Sequence, residues 1–169
     1  MRTRKTRTIA FMGLLIALAV TLSYIEGLVP SFIPVPGIKL GLSNIVTMYC
    51  LFFVNAPSAV LLAVLKSCFV LLTRGVTAGA LSLAGGLLSV GAMALVTALR
   101  ASKGLASVTG AVMHNVGQLV AAWLLLGTPT VFYYTPVLVI SGVVMGIVTA
   151  SALRLLLPAL ERIRGTGGK

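Results

Sequence analysis

The chain has 169 residues, of which 59% are hydrophobic and 9% charged, and its mean hydropathy is +1.12. A soluble domain carries about 25% charged residues, so this chain lacks the charge to cover a water-facing surface and reads as an integral membrane protein of one bundle. The net charge of +11 does not indicate nucleic acid, because the basic residues border apolar segments without aromatic interleaving or a recognised binding motif.

Residues 1–7 are a basic start containing Arg2, Arg4, Lys5 and Arg7. Residues 8–28, TIAFMGLLIALAVTLSYIEGL, are long enough to cross a bilayer as a helix of about 20 residues. A basic start before an apolar run also fits a secretory signal peptide, but this run is long and further apolar blocks follow, so it reads as a first anchor. The stretch PVPGIKLGLSNI comes next. Pro30, Pro34 and Pro36 stiffen an extended connection, Gly37 and Gly41 allow tight turns around Lys39, and Ser43 and Asn44 suit the cap of a second helix.

That second block, 38–54, is short, and its apolar part from Ile45 to Val54 is broken only by Thr47. Asn55 to Ser58 reads as a turn, with Pro57 suited to the start of the third block, 57–73, which ends at Arg74 and Gly75. The fourth block, 77–99, is rich in Ala, Gly, Ser and Leu. The fifth, 105–127, carries the only histidine, and the sixth, 131–153, follows Thr128-Pro129, before a tail at 154–169. The predicted fold class is an all-α integral membrane bundle of six transmembrane helices. A β-barrel would instead need alternating segments of about ten residues.

Placing the N-terminus inside gathers most basic residues on one side: four at the start, Arg100 and Lys103 after the fourth block, and Arg154, Arg162, Arg164 and Lys169 at the end. This predicts both termini in the cytoplasm. Lys39, Lys66 and Arg74 remain as charge that topology does not explain. Cys50 and Cys68 lie in apolar blocks and read as small hydrophobes, with no spacing that supports a metal site.

Small residues recur at four-residue spacing: Gly13 and Ala17, followed by Thr21; Ser82 and Gly86; Gly85 and Ser89; Gly142, Gly146 and Ala150. In lipid such rows mark faces where another backbone comes close. They fit packing within the bundle or a partner surface, and the first helix is the best candidate for the latter.

Ionic groups in hydrocarbon need a partner, a wet cavity or a route to the interface. Glu26, near the outer end of the first helix, is the only acid before Glu161. Lys66 falls about 13 Å beyond Pro57, near mid-membrane. Two readings stay open: Glu26 pairs with one cation while the others snorkel, or Lys39, Lys66 and Arg74 surround an outward-facing pocket for an anionic or strongly polar ligand. His114 and Gln118 share a helical face with Gly110, and Asn115 sits about 100° round from them. They read either as an interhelical hydrogen-bond network or as ligand contacts; one histidine without nearby Asp, Glu or Cys does not make a metal site. Tyr24, Tyr49 and Trp123 are further pocket candidates whose ordinary reading is lipid or packing contact, while Tyr133 and Tyr134 suit the outer interface. A short, Gly/Pro-interrupted second helix places free N–H groups beside a cavity, an arrangement that suits oxyanions and resembles transporter binding sites.

The segments IAFMGLLIALAVTLSYIE and PVPGIKLGLSNIVTMY, with the later His114-Asn115 helix, resemble the bacterial membrane family called Gx transporter, also labelled heptaprenyl diphosphate synthase component I. More distantly, the six-helix plan is similar to the substrate-binding S components of energy-coupling factor (ECF) transporters. Lys39, Leu40 and Ser43 match a segment of the riboflavin-binding members, and Asn44 stands where those carry an acid. The resemblance implies a multi-pass subunit of the bacterial cytoplasmic membrane that binds a vitamin-like or precursor molecule from outside. Taken with the reading of the polar residues, it makes Lys39, Ser43, Asn44, Lys66, His114, Asn115, Gln118, Glu26 and Arg74 the candidate substrate contacts. The partners would be a membrane scaffold protein, met through Ala10, Gly13 and Ala17, and two cytoplasmic ATPases. No cofactor is expected on this chain: it has no Walker A sequence, so ATP would be used by the partners.

The synthase label meets a chemical obstacle. Ionising an allylic diphosphate ordinarily takes aspartates around Mg²⁺, and this sequence has no aspartate and two glutamates. The chain is therefore expected not to be an enzyme. The alternatives to an uptake subunit are an accessory membrane protein of isoprenoid or quinone synthesis and a stand-alone small transporter.

Overall fold

The computed structural model describes residues 2–28 and 42–165. Among these are six α-helices: α1 (Arg2–Leu28), α2 (Leu42–Phe53), α3 (Ala56–Arg74), α4 (Val76–Ala98), α5 (Lys103–Leu126) and α6 (Thr135–Gly165). A short 3₁₀ turn, Pro129–Tyr134, precedes α6. Five segments are long and apolar enough to cross a membrane: Thr8–Leu28, Ala56–Arg74, Val76–Ala98, Lys103–Leu126 and Pro129–Leu155. The chain is an all-helical, multi-pass membrane protein.

The helix ends follow from local chemistry. Asn55, extended and just before α3, accepts from the Ser58 N–H at 2.8 Å, and Pro57 sits in the first turn where its missing N–H costs nothing. Gly75, at φ 87°, closes α3 by donating its N–H to the Leu71 carbonyl at 3.0 Å. Ser102 caps α5 through the Leu105 N–H at 3.2 Å, and Gly127 ends it in the left-handed conformation. Tyr133 and Tyr134 belong to the 3₁₀ turn rather than to α6, so Pro136 falls in the first turn of α6 and is accommodated without a kink. The same helix continues through Pro158 to Gly165, past the predicted end at 153.

Of the second predicted span, 38–54, α2 covers Leu42–Phe53, and residues 38–41 lie outside the described residues. The 12 described residues of α2 measure about 18 Å at 1.5 Å per residue, against a hydrocarbon core of about 30 Å.

α2 and α3 form a hairpin around Asn55. Ser43 lies ten residues before the end of α2 and Lys66 ten after the start of α3. The Lys66 to Ser43 hydrogen bond at 3.3 Å therefore places the start of α2 about 15 Å from the turn, near mid-bundle. Around the rest of α2, which touches α1, α3, α4 and α6, lies the apolar core: Val46, Met48, Tyr49 and Cys50 pack with Leu15, Ala19, Leu62, Ala63, Val90, Met93 and Leu153. Tyr49 stacks on Phe53 with ring centroids 5.1 Å apart, and Lys103 Nζ lies 4.7 Å over the Phe53 ring.

α4, α5 and α6 pack in sequence, and glycine lets their backbones meet. A Cβ on Gly117 would fall 2.7 Å from the Ala84 carbonyl oxygen, and one on Gly146 would fall 2.5 Å from Val108 Cα. Ser107 adds a hydrogen bond from its Oγ to the Gly146 carbonyl at 2.8 Å. The rows on α4 and α6 are thus filled from within the bundle.

Candidate functional site

Where α2 begins, the core changes from apolar to polar and opens into a cavity that all six helices line. α1 contributes Ser23 and Glu26, α2 Ser43 and Asn44, α3 Lys66 and Val70, and α4 Ser82. From α5 come Ala111, His114, Asn115 and Gln118, and from α6 Gly142, Met145 and Thr149. Ten of these fourteen residues are polar or ionisable, against a bundle otherwise filled with aliphatic side chains. The cavity has a volume of about 30 Å³, room for about two water molecules.

Lys66 is 4% exposed and donates from Nζ to Ser43 Oγ at 3.3 Å and to Asn44 Oδ1 at 3.2 Å. Its stem is thus not extended towards the membrane surface; the ammonium is held inward, against the first turn of α2. That position is electrostatically unusual. Neutral acceptors satisfy the N–H groups but do not cancel the charge, and a helix N-terminus is itself positive. Both features favour negative charge nearby, and Glu26, 7% exposed, lines the same cavity.

α5 forms the opposite wall. His114 and Gln118 stand against Gly85 of α4, where a Cβ would lie 2.9 Å from Gln118 Cγ and 3.0 Å from His114 Cε1. The absence of a side chain at Gly85 makes room for them. Asn115 turns to α6 and donates from Nδ2 to the Leu138 carbonyl at 2.8 Å and to Ser141 Oγ at 3.4 Å, so it pins two helices while edging the cavity. Gln118 is 6% exposed, and its Oε1 has no hydrogen-bond partner among the described residues. A buried amide oxygen left in that condition costs about 1–3 kcal/mol.

Of the residues picked out from sequence, Ser43, Asn44, Lys66, His114, Asn115, Gln118 and Glu26 meet at this cavity. Arg74 does not line it. Its Nη2 donates to the Ser23 carbonyl at 2.6 Å and its guanidinium lies on Gly27, where it complements the negative end of the α1 dipole. Lys39, with the rest of the proline-rich connection, lies outside the described residues. The aromatic candidates are elsewhere too: Tyr49 is in the apolar core, while Tyr24 and Trp123 are 52% and 41% exposed.

Sequence reasoning did not single out Ser23, Met145 or Thr149 as cavity residues. A signal for them existed: Ser23 is one turn before Glu26, and Met145 and Thr149 share a helical face with Gly142. Among the described residues, no group of three or more His, Cys, Asp and Glu is placed to hold a metal ion.

Ala10, Gly13 and Ala17 lie on the exposed side of α1, and a Cβ on Gly13 would meet nothing within 4 Å. The sequence family described as heptaprenyl diphosphate synthase component I matches residues 15–156. No curated protein and no solved structure matches the chain. The chain belongs to the heptaprenyl diphosphate synthase component I family.

Proposed function

We propose that this family member is a substrate-binding membrane subunit of the ECF S-component kind, which takes up a small, polar, vitamin-like or precursor molecule. The observation that carries the reading is the convergence of polar side chains from all six helices on one buried cavity beside Ser43 and Asn44 of α2. The sequence leading into α2 is interrupted by Gly and Pro, a pattern that points to binding sites in transporters. Purely structural polar contacts between membrane helices average only about 0.6 kcal/mol each. That is a small return for burying a lysine and a glutamate together.

In this reading the chain crosses the bacterial cytoplasmic membrane with both termini inside. Substrate arrives from outside and is held by Lys66, Ser43, Asn44, Glu26, His114, Asn115 and Gln118. Ala10, Gly13 and Ala17 present α1 to a membrane scaffold that carries two cytoplasmic ATPases, and this chain performs no chemistry of its own. The open space over Gly13 supports that assignment. The test is affinity capture of the protein from native membranes in mild detergent. A scaffold and ATPases are expected to co-purify and to be lost in a Gly13→Leu, Ala17→Leu variant; ligand transport by the lone protein in liposomes, with no such complex, overturns the reading.

A second reading follows from the family's description: a non-catalytic accessory membrane protein of isoprenoid or quinone synthesis. Capture of a soluble prenyl synthase, in place of ATPases, would select it.

A further inference from the structure

The cavity's charges and shape restrict what it can hold. Among the described residues its fixed ionic groups are one acid, Glu26, and one base, Lys66, so with His114 neutral their formal charges sum to zero. That balance holds however these groups are paired with one another. In a medium of low dielectric a ligand of charge −2 or −3 finds no matching countercharge among these residues and pays most of its desolvation cost unrecovered. Among the described residues no Phe, Tyr or Trp lines the cavity, so an extended aromatic ring finds no stacking surface on them. Their apolar lining, Val70, Ala111 and Met145 with Gly142, offers too little surface to sheath a long hydrocarbon chain.

The walls also differ in what they ask for. On the α2–α3 side the Lys66 ammonium sits beside the first turn of α2, a place for an anionic group. Glu26 and the buried Gln118 Oε1, which accepts no hydrogen bond among the described residues, are places for N–H donors.

We propose that the cavity takes a compact zwitterion, a molecule of net charge near zero carrying both an ammonium-like and a carboxylate-like group. The proposal rests on the reading of this cavity as a substrate site. Such a ligand is larger than the cavity's volume of about 30 Å³, so its binding requires the walls to part.

The test is thermal unfolding of the full-length protein in lipid nanodiscs with matched probes: glycine, β-alanine, 4-aminobutyrate and taurine; then propionate, propylamine, inorganic diphosphate and riboflavin. At about ten times Kd, at least one of the four zwitterions is expected to raise the midpoint by roughly 3 °C or more, with no such shift from the others. Glu26→Gln keeps the side chain's size and leaves the cavity with an excess positive charge. It is expected to transfer the stabilisation from the zwitterion to propionate, while Lys66→Met transfers it to propylamine. Because the variants gain one probe class as they lose another, a folding defect cannot mimic the result. Lys66-dependent stabilisation by diphosphate or riboflavin overturns the zwitterion and leaves the substrate site standing; no stabilisation of the wild type by any probe overturns both.

Discussion

Gly13 on α1 and Gly146 on α6 stand in similar rows of small residues, yet their surroundings are opposite. A side chain added to Gly146 would strike the α5 backbone at Val108 Cα, 2.5 Å away, whereas one added to Gly13 would meet nothing within 4 Å. Four-residue spacing thus marks the capacity for close approach, and only the tertiary arrangement decides whether the approaching backbone is the chain's own. The α4–α5–α6 side has spent that capacity internally. The α1 row has kept it.

Breaking the filled side has the largest expected effect. Gly146→Leu forces α5 and α6 apart and is expected to cost about 3 kcal/mol or more, read as a fall in the unfolding midpoint of several degrees in nanodiscs. An unchanged midpoint would mean that the α5–α6 contact is not as close as described. Lys66→Ala comes next. It removes the link between α2 and α3 and leaves Ser43 and Asn44 with lost partners, an expected cost of about 1–3 kcal/mol, checked by the same measurement and by faster proteolysis near α2. Asn115→Ala, which frees the Leu138 carbonyl, is expected to cost about 0.6 kcal/mol and no more than about 1.7.

At the lower end, Gly13→Leu is expected to move the stability of the isolated protein by less than about 0.5 kcal/mol. Its effect belongs to assembly: capture of the proposed scaffold is expected to fall. A large loss of stability in the isolated protein would show that the α1 face is packed, and would erase the contrast with α6.

The membrane class was legible from composition and the length of the apolar blocks, and the ends of α3 from Asn55, Pro57 and Gly75, residue types that state where a hydrogen-bonded segment begins and ends. Lys66, His114 and Gln118 were legible as site candidates because charge and amides deep in an apolar block need a reason. The contact of Arg74 was not legible: its charge was unexplained by topology, and its partner, the Ser23 carbonyl, is a backbone atom 51 residues away that no side-chain pattern announces. Ser23 and Thr149 escaped notice because hydroxyls are common in membrane helices and only convergence sets these two apart.

Native mass spectrometry of the wild-type protein released from its own membrane, beside a Lys66→Ala, His114→Ala variant, tests the central claim that the polar cavity is a ligand site. The expected result is a small-molecule adduct on the wild type that the variant lacks while remaining folded. An adduct carried equally by both proteins, or a wild type that is bare under conditions that preserve bound lipids, would contradict it.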